Sequence, residues 1–155
     1  MADAVPDLAS LDFASVTPQE FAVLVKRTPA KELAAFLRGE PRARVLAEVF
    51  GRMERQFRPE NAGSLDTVIR WRITGADGEP EAVYETAISG GRCTVREGAS
   101  DAEPRVTLTM TDTEFLRLVS GNGNPVTMFM TRKLKVSGDI GLASGLTRLF
   151  DIPKA

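Results

Sequence analysis

A chain of 155 residues with 20 basic and 21 acidic side chains carries a formal charge of −1, and 43% of it is hydrophobic. That is the size of one domain, with enough apolar material for a substantial core or a modest cavity, and near-neutrality excludes a dedicated nucleic-acid binder. One cysteine, Cys93, excludes an internal disulfide, and the absence of histidine removes Ser-His-Asp and Cys-His catalysis with the commonest zinc ligand. No metal or cofactor is expected.

Residues 1–15 are small, acidic and proline-punctuated, and read as a loose arm without the basic and apolar regions of a signal peptide. At Thr17-Pro-Gln-Glu20 the residues of a capping box appear, with Val16 and Phe21 as a matching hydrophobic staple. Phe21, Leu24, Val25 and Thr28 fall on one face of the helix that follows. Thr28-Pro29 restarts the pattern, and a second helix with Leu33, Phe36 and Leu37 is expected to end at Gly39. The third helix has the strongest period: Leu46, Phe50, Met53 and Phe57, broadened by Val45 and Val49, up to Pro59 and Gly63. Arg42, Arg44, Arg52, Arg55 and Arg58 run along it with Glu48 and Glu54. They read as a solvated face with intrahelical pairs, and the sharper reading is a surface for transient contact with an anionic membrane or for a partner.

An antiparallel meander follows. Leu65, Thr67, Ile69, Trp71 and Ile73 share one face, and Asp66, Val68, Arg70 and Arg72 share the other. Ala76-Asp77-Gly78 makes the bend. Ala82, Tyr84, Thr86 and Ile88 then alternate against Val83, Glu85 and Ala87, so Asp66 and Glu85 are expected outside. Gly90-Gly91 is a hairpin turn, and Cys93 and Val95 continue the next strand, Cys93 as a structural thiol. One sheet face is therefore expected under helices and the other polar.

After a polar loop, Arg105 to Met110 alternates as a strand and Thr111-Asp-Thr-Glu114 opens a helix that Gly121 ends. Gly121-Asn-Gly-Asn124 reads as a helix stop and an Asn-Pro start rather than a phosphate cradle. The connection onward to the strand Leu134–Val136 exceeds twenty residues, long enough for a crossover that would lay this strand parallel to a neighbour. Gly138-Asp139 leads into a last helix. Phe115, Leu116, Val119, Met128, Phe129, Met130, Leu134, Val136, Ile140, Leu142, Leu146, Leu149 and Phe150 exceed what one short layer needs, and are the candidate lining of an apolar cavity. By periodicity alone, filling a core is the stronger reading. A lipid tail of about fifteen methylenes, at ~0.8 kcal/mol each, gains enough from burial to be held without a specific polar contact. Tyr84 alone shares the apolar parity among groups able to move a proton, and reads as a core residue.

The segment Leu108-Thr-Met-Thr-Asp-Thr-Glu-Phe-Leu116, then Val119-Ser-Gly121, Asn124-Pro125, Phe129 and Lys133-Leu-Lys-Val-Ser-Gly-Asp139 resembles the sterol carrier protein type 2 family, the nonspecific lipid-transfer proteins. The likeness runs from about Val45 to Phe150. It implies an α/β fold: a five-stranded, mainly antiparallel sheet covered by helices, enclosing an apolar tunnel for fatty acids, acyl-CoA, phospholipids or sterols. It further implies that the last helix and the Phe129–Met130 region border that tunnel. Relatives commonly place glycine before the Lys-Leu-Lys element, where this chain has Thr131-Arg132. Residues 1–39, the arm and two helices, lie outside the minimal family domain of 40–155 and resemble a bacterial extension that covers the tunnel or mediates homodimer contact.

The expectation is a non-enzymatic, cytoplasmic carrier of a hydrophobic small molecule. No run approaches a membrane span, and Pro153-Lys154-Ala155 is not a peroxisomal address. Two other classes stay open: an interaction module whose cavity has closed, and a small-pocket enzyme on lipid or polyketide substrates using Tyr84 or a misplaced acid.

Overall fold

The computed structural model of the protein describes residues 17–37, 39–75 and 79–150. The expected arm, Val16 of the staple and the bend at 76–78 lie outside the described residues. Helix α1 (Pro18–Arg27) starts on a complete capping box: Thr17 Oγ1 accepts the Glu20 N–H at 3.1 Å and Glu20 Oε1 accepts the Thr17 N–H at 3.0 Å. Pro29 turns the chain into α2 (Ala30–Phe36). Gly39 does not end that helix, as expected from its type, but begins α3 (Gly39–Gln56). Leu37 already leaves helical geometry at ψ 65°, and Pro41 suits a first turn, where its missing N–H goes unused in any case.

The five strands are β1 (Thr67–Thr74), β2 (Ala82–Ser89), β3 (Arg92–Glu97), β4 (Val106–Thr111) and β5 (Leu134–Gly138), in the order β3-β2-β1-β4-β5. Neighbours are antiparallel except β1 and β4, which run parallel. This corrects the expectation for the last strand. Met110 pairs with Leu134, so the helical excursion leaves and re-enters the sheet at the same end, and β5 must run back along β4. The parallel pair arises elsewhere, because the β2–β3 hairpin occupies the other side of β1. Gly90 and Gly91, at φ 59° and 75°, supply its tight turn. Gly138, at φ 109°, lies so close to the Arg105 carbonyl that any Cβ would overlap it.

Period-two alternation puts Ile69, Trp71, Ile73, Tyr84, Thr86, Ile88, Leu108 and Met110 on the face that the helices cover, all buried. Phe50 of α3 stacks on Tyr84 at 4.0 Å and on Phe115 at 4.8 Å, with Trp71 edge-on at 5.9 Å. The Trp71 indole N–H donates to Thr86 Oγ1 at 2.9 Å, so neither polar group is stranded in this core. Helix α4 (Asp112–Val119) meets α3 through Phe115 on Phe50 and Asp112 on Arg42, and α1 and α2 pack against α4. Phe21, Val25, Leu33 and Leu37 join the same buried cluster. The chain closes with α5 (Pro125–Met130), α6 (Ile140–Ser144) and α7 (Leu146–Leu149). The single last helix expected from the sequence is thus two, broken at Gly145, whose N–H returns to the Gly141 and Leu142 carbonyls and caps α6.

Two charged groups depart from their expected places. Glu85 lies on the far sheet face as its parity requires, yet it is 2% exposed. The loop before β4 folds over it: Arg70 bonds Glu85 at 2.7 Å and donates to the Ser100 and Ala102 carbonyls. Burial would raise the Glu85 pKa, but hydrogen bonds from Ser100 and Arg70 outweigh it and hold the carboxyl below its ordinary value. Arg42 is not on a solvated face either. It is buried, bonding Asp112 at 2.9 Å and the Ile73 carbonyl at 3.1 Å. Arg44 and Arg55 are exposed, as the pattern predicts.

Candidate ligand-binding cleft

The apolar stripe of α3 meets the end of α4 over β1. Val49, Met53 and Gln56, Trp71, Leu118 and Val119, and Phe150 after α7 line a narrow apolar cleft there. Its interior is about 20 Å³, room for one water and not for an alkyl chain. A wider hollow of about 290 Å³ is lined by Asn61, Ala62, Leu65, Gly141, Leu142, Gly145, Arg148 and Leu149. Leu149 faces the wide hollow and Phe150 the narrow cleft.

Hydrogen bonds tie α7 to the turn after α3. The Arg58 N–H donates to the Leu149 carbonyl at 2.7 Å, and Asn61 Nδ2 donates to the Arg148 carbonyl at 2.6 Å. Phe57, the last apolar residue of the α3 stripe, lies beyond the helix and forms an isolated antiparallel bridge with Phe150, their rings 5.8 Å apart. The 3-10 turn Pro59–Asn61 supplies the other anchor. At the N-terminus of α6, Asp139 accepts the Leu142 N–H at 3.0 Å and the Arg105 guanidinium at 3.0 Å, which together keep its carboxyl below the usual range.

The residues expected to line a cavity fall into distinct places. Val119 and Phe150 line the cleft, and Leu142 and Leu149 the wide hollow. Phe115, Leu116, Met128 and Leu134 are buried in the common core, and Val136 packs partly buried against it. Phe129, Met130 and Ile140 stand exposed, at 40%, 75% and 53%. The Leu146 side chain lies outside the described ones. Sequence reasoning passed over Val49, Met53, Trp71 and Leu118. The first two sit on the helix with the clearest apolar period and Trp71 on the covered strand face, so their burial was legible; that a gap would open beside them was not.

Groups able to move protons are engaged elsewhere. Tyr84 is stacked in the core, and burial, then the nearby Glu97 charge, pushes its pKa up against the pull of Arg42. Asp112 and Glu85 are each bound to an arginine. Cys93 is partly buried on β3, and its thiol is pushed up to about 12 by burial and by Glu54, so it stays protonated at neutral pH. Among the described residues no cluster of metal-ligating side chains occurs, and no helix is long and apolar enough to cross a membrane.

A model of the SCP-2 sterol transfer family matches residues 50–151, a span that includes the whole sheet, α4 and the two C-terminal helices. The chain belongs to this family. Its members are lipid-binding and lipid-transfer domains, and the five-stranded mixed sheet under helices is their fold. Sterol carrier protein 2 of Gallus gallus is 33% identical over 104 residues, 65% of this chain and 19% of that protein. The chain thus spans about a fifth of the length of this curated relative. Among solved structures, palmitated SCP2L2 from Aedes aegypti matches with a TM-score of 0.53 and 20% identity over 72% of this chain and 95% of that one. The sec-alkylsulfatase Pisa1 from Pseudomonas sp. matches with a TM-score of 0.55 and 17% identity over 70% of this chain and 16% of that one. At such identities these likenesses concern the fold.

Proposed function

We propose that this domain binds and carries a single-chain or sterol-like lipid without acting on it chemically, the ligand lying at the cleft and the hollow that Phe150 and Leu149 line. The observation that carries the reading is that consecutive residues, Leu149 and Phe150, line a 290 Å³ hollow and a 20 Å³ apolar cleft respectively. A ligand that displaced both side chains would draw on both spaces, whose volumes together approach a small ligand pocket. The apolar end of a ligand would replace Phe150 against Val49, Met53 and Trp71, exchanging one non-directional contact for another. The polar end would meet Arg148 and Asn61, the hydrogen-bonding side chains of the wide hollow. Family membership supports lipid as the ligand class, and the mosquito SCP2L2 of the same fold is a palmitated protein. The commitment of Tyr84 to ring stacking, and of Asp112 and Glu85 to ion pairs, supports a carrier over an enzyme.

The test is native mass spectrometry of gently purified protein, with competition by palmitate and cholesterol against a fluorescent fatty acid. An acyl or sterol ligand is expected to co-purify, and at least one competitor to displace the probe. A ligand-free protein that ignores the probe would overturn the proposal. It would favour an accessory module with a permanently closed cavity, the reading to which the 20 Å³ volume of the cleft itself points.

A further inference from the structure

Seven polar or charged side chains are buried among the described residues, and all but one have partners. Arg42 and Asp112 bond each other, Glu85 bonds Arg70, and Thr86 accepts from the Trp71 indole. The Thr28 hydroxyl donates to the Leu24 carbonyl at 2.7 Å, and the Ser120 hydroxyl to the Arg117 carbonyl at 3.2 Å. Thr67 is the exception. It is 8% exposed, and its Oγ1 meets no hydrogen-bond partner among the described residues. A hydroxyl taken out of water without a partner destabilises the fold, so it calls for a reason beyond packing. Valine has the same shape and suits a strand equally well, and it would fill the place without that penalty.

The position of Thr67 supplies the reason. It opens β1, and the chain reaches it from Asn61, Ala62 and Leu65, which all line the wide hollow. Beyond it the covered face of the strand continues through Ile69 to Trp71, which lines the narrow cleft. Thr67 and Ile69 are thus the residues of that face that separate, along the chain, Leu65 of the hollow from Trp71 of the cleft. A lipid drawing on both spaces runs over this stretch of strand. Ile69 offers it an apolar surface, and Thr67 a hydrogen bond at the end nearer the hollow. Across the antiparallel pair Thr67 faces Ile88, whose buried apolar side chain has nothing to bond it.

We infer that the Thr67 hydroxyl is a ligand subsite, which bonds a neutral oxygen, a hydroxyl or a carbonyl, of the carried lipid. This deepens the carrier reading and rests on it. The oxygen is neutral because a carboxylate there would be a buried charge held by a single hydroxyl. At Arg148, which is exposed, the same carboxylate keeps both a cation and water. The subsite therefore favours fatty alcohols, esters and sterols over free fatty acids, with the same apolar lining serving them all.

Displacement of a fluorescent fatty acid from the full chain tests it, with two matched pairs of competitors: hexadecanol against hexadecane, and cholesterol against cholestene, which lacks the hydroxyl. Thr67→Val keeps the side-chain shape and removes the hydroxyl. In at least one pair it should weaken the oxygen-bearing member about fivefold relative to its hydrocarbon, the effect of one hydrogen bond. Thr67→Ser keeps the hydroxyl and should hold the parent's ratio. In the ligand-free protein Thr67→Val should raise the thermal midpoint, because an unpartnered buried hydroxyl has gone. A merely structural hydroxyl, bonded to buried water, would give the opposite: a lower midpoint with both ratios unchanged. That result would overturn the inference, as would equal shifts of both members in each pair. The fluorescent probe separates this inference from the reading beneath it. Probe binding by the parent with ratios indifferent to Thr67→Val sinks the subsite alone, whereas a parent that does not bind the probe sinks the carrier reading with it.

Discussion

Where α3 begins, Arg42 is clamped between the Asp112 carboxylate and the Ile73 carbonyl, joining α3, β1 and α4 through directional bonds at about 3 Å. Where it ends, Met53 and Gln56 line an apolar gap with Leu118, Val119 and Phe150, and the Arg58 N–H and Asn61 Nδ2 donate to carbonyls of α7. A buried ion pair tolerates little displacement, because each charge that loses its partner is left in a medium that solvates it poorly. Apolar contacts have no such preference: a ring can be exchanged for an acyl chain at small net cost. The same helix is thereby held by directional bonds near its start and by apolar contacts near its end, and the proposed carrier would admit its ligand at the second.

The comparison can be broken at either end. Asp112→Ala leaves the Arg42 guanidinium buried and unpaired and is expected to cost about 3–5 kcal/mol in a denaturant titration. The pair Arg42→Met with Asp112→Leu should recover much of that loss, and a single-variant cost below about 1 kcal/mol would mean the clamped end is not fixed. Phe150→Ala should cost about 3 kcal/mol as a large-to-small change at a buried position. Unlike Asp112→Ala, it should tighten binding of the fluorescent fatty acid, since the ligand no longer has to displace the ring. Weaker binding would place the ligand elsewhere. Asn61→Ala removes one anchor of α7 and should cost about 1 kcal/mol. Its mark should be faster amide exchange in α7 with α4 unchanged, and uniform acceleration would show that the two ends open together. Arg72→Ala breaks an exposed pair with Glu81 on the uncovered sheet face and should change stability by less than about 0.5 kcal/mol.

An acid titration sharpens the contrast on the far side of the sheet. The Glu85 carboxyl is held below its ordinary value in the folded state, so its contribution is present above the unfolded carboxylate pKa. It is lost as pH falls through the lower folded one. Glu85→Gln should accordingly flatten the stability loss below about pH 4.

The helices and strands were legible because their signals are local. Thr17 and Glu20 lie within hydrogen-bonding reach once a helix turns, Gly90-Gly91 can adopt the hairpin's positive φ, and alternation places Ile69, Trp71 and Ile73 on one face. The stretch from Leu108 to Asp139 was specific enough to point to the family. The same parity set Glu85 on the correct face, and missed only that a loop would cover it.

What the tertiary structure decided is which distant residues meet. Arg42 and Asp112 are 70 residues apart, and neither pattern nor spacing pairs them. Met128 and Met130 look alike in sequence, yet one is 4% exposed and the other 75%, because a short helix has only one side to bury. Periodicity says that a residue faces apolar neighbours; it does not say whether they touch, leave a gap or point into water. Those outcomes depend on how separate elements dock, and here that docking sets the cleft that Phe150 lines, the hollow that Leu149 lines, and which apolar side chains of α5 and α6 stay exposed.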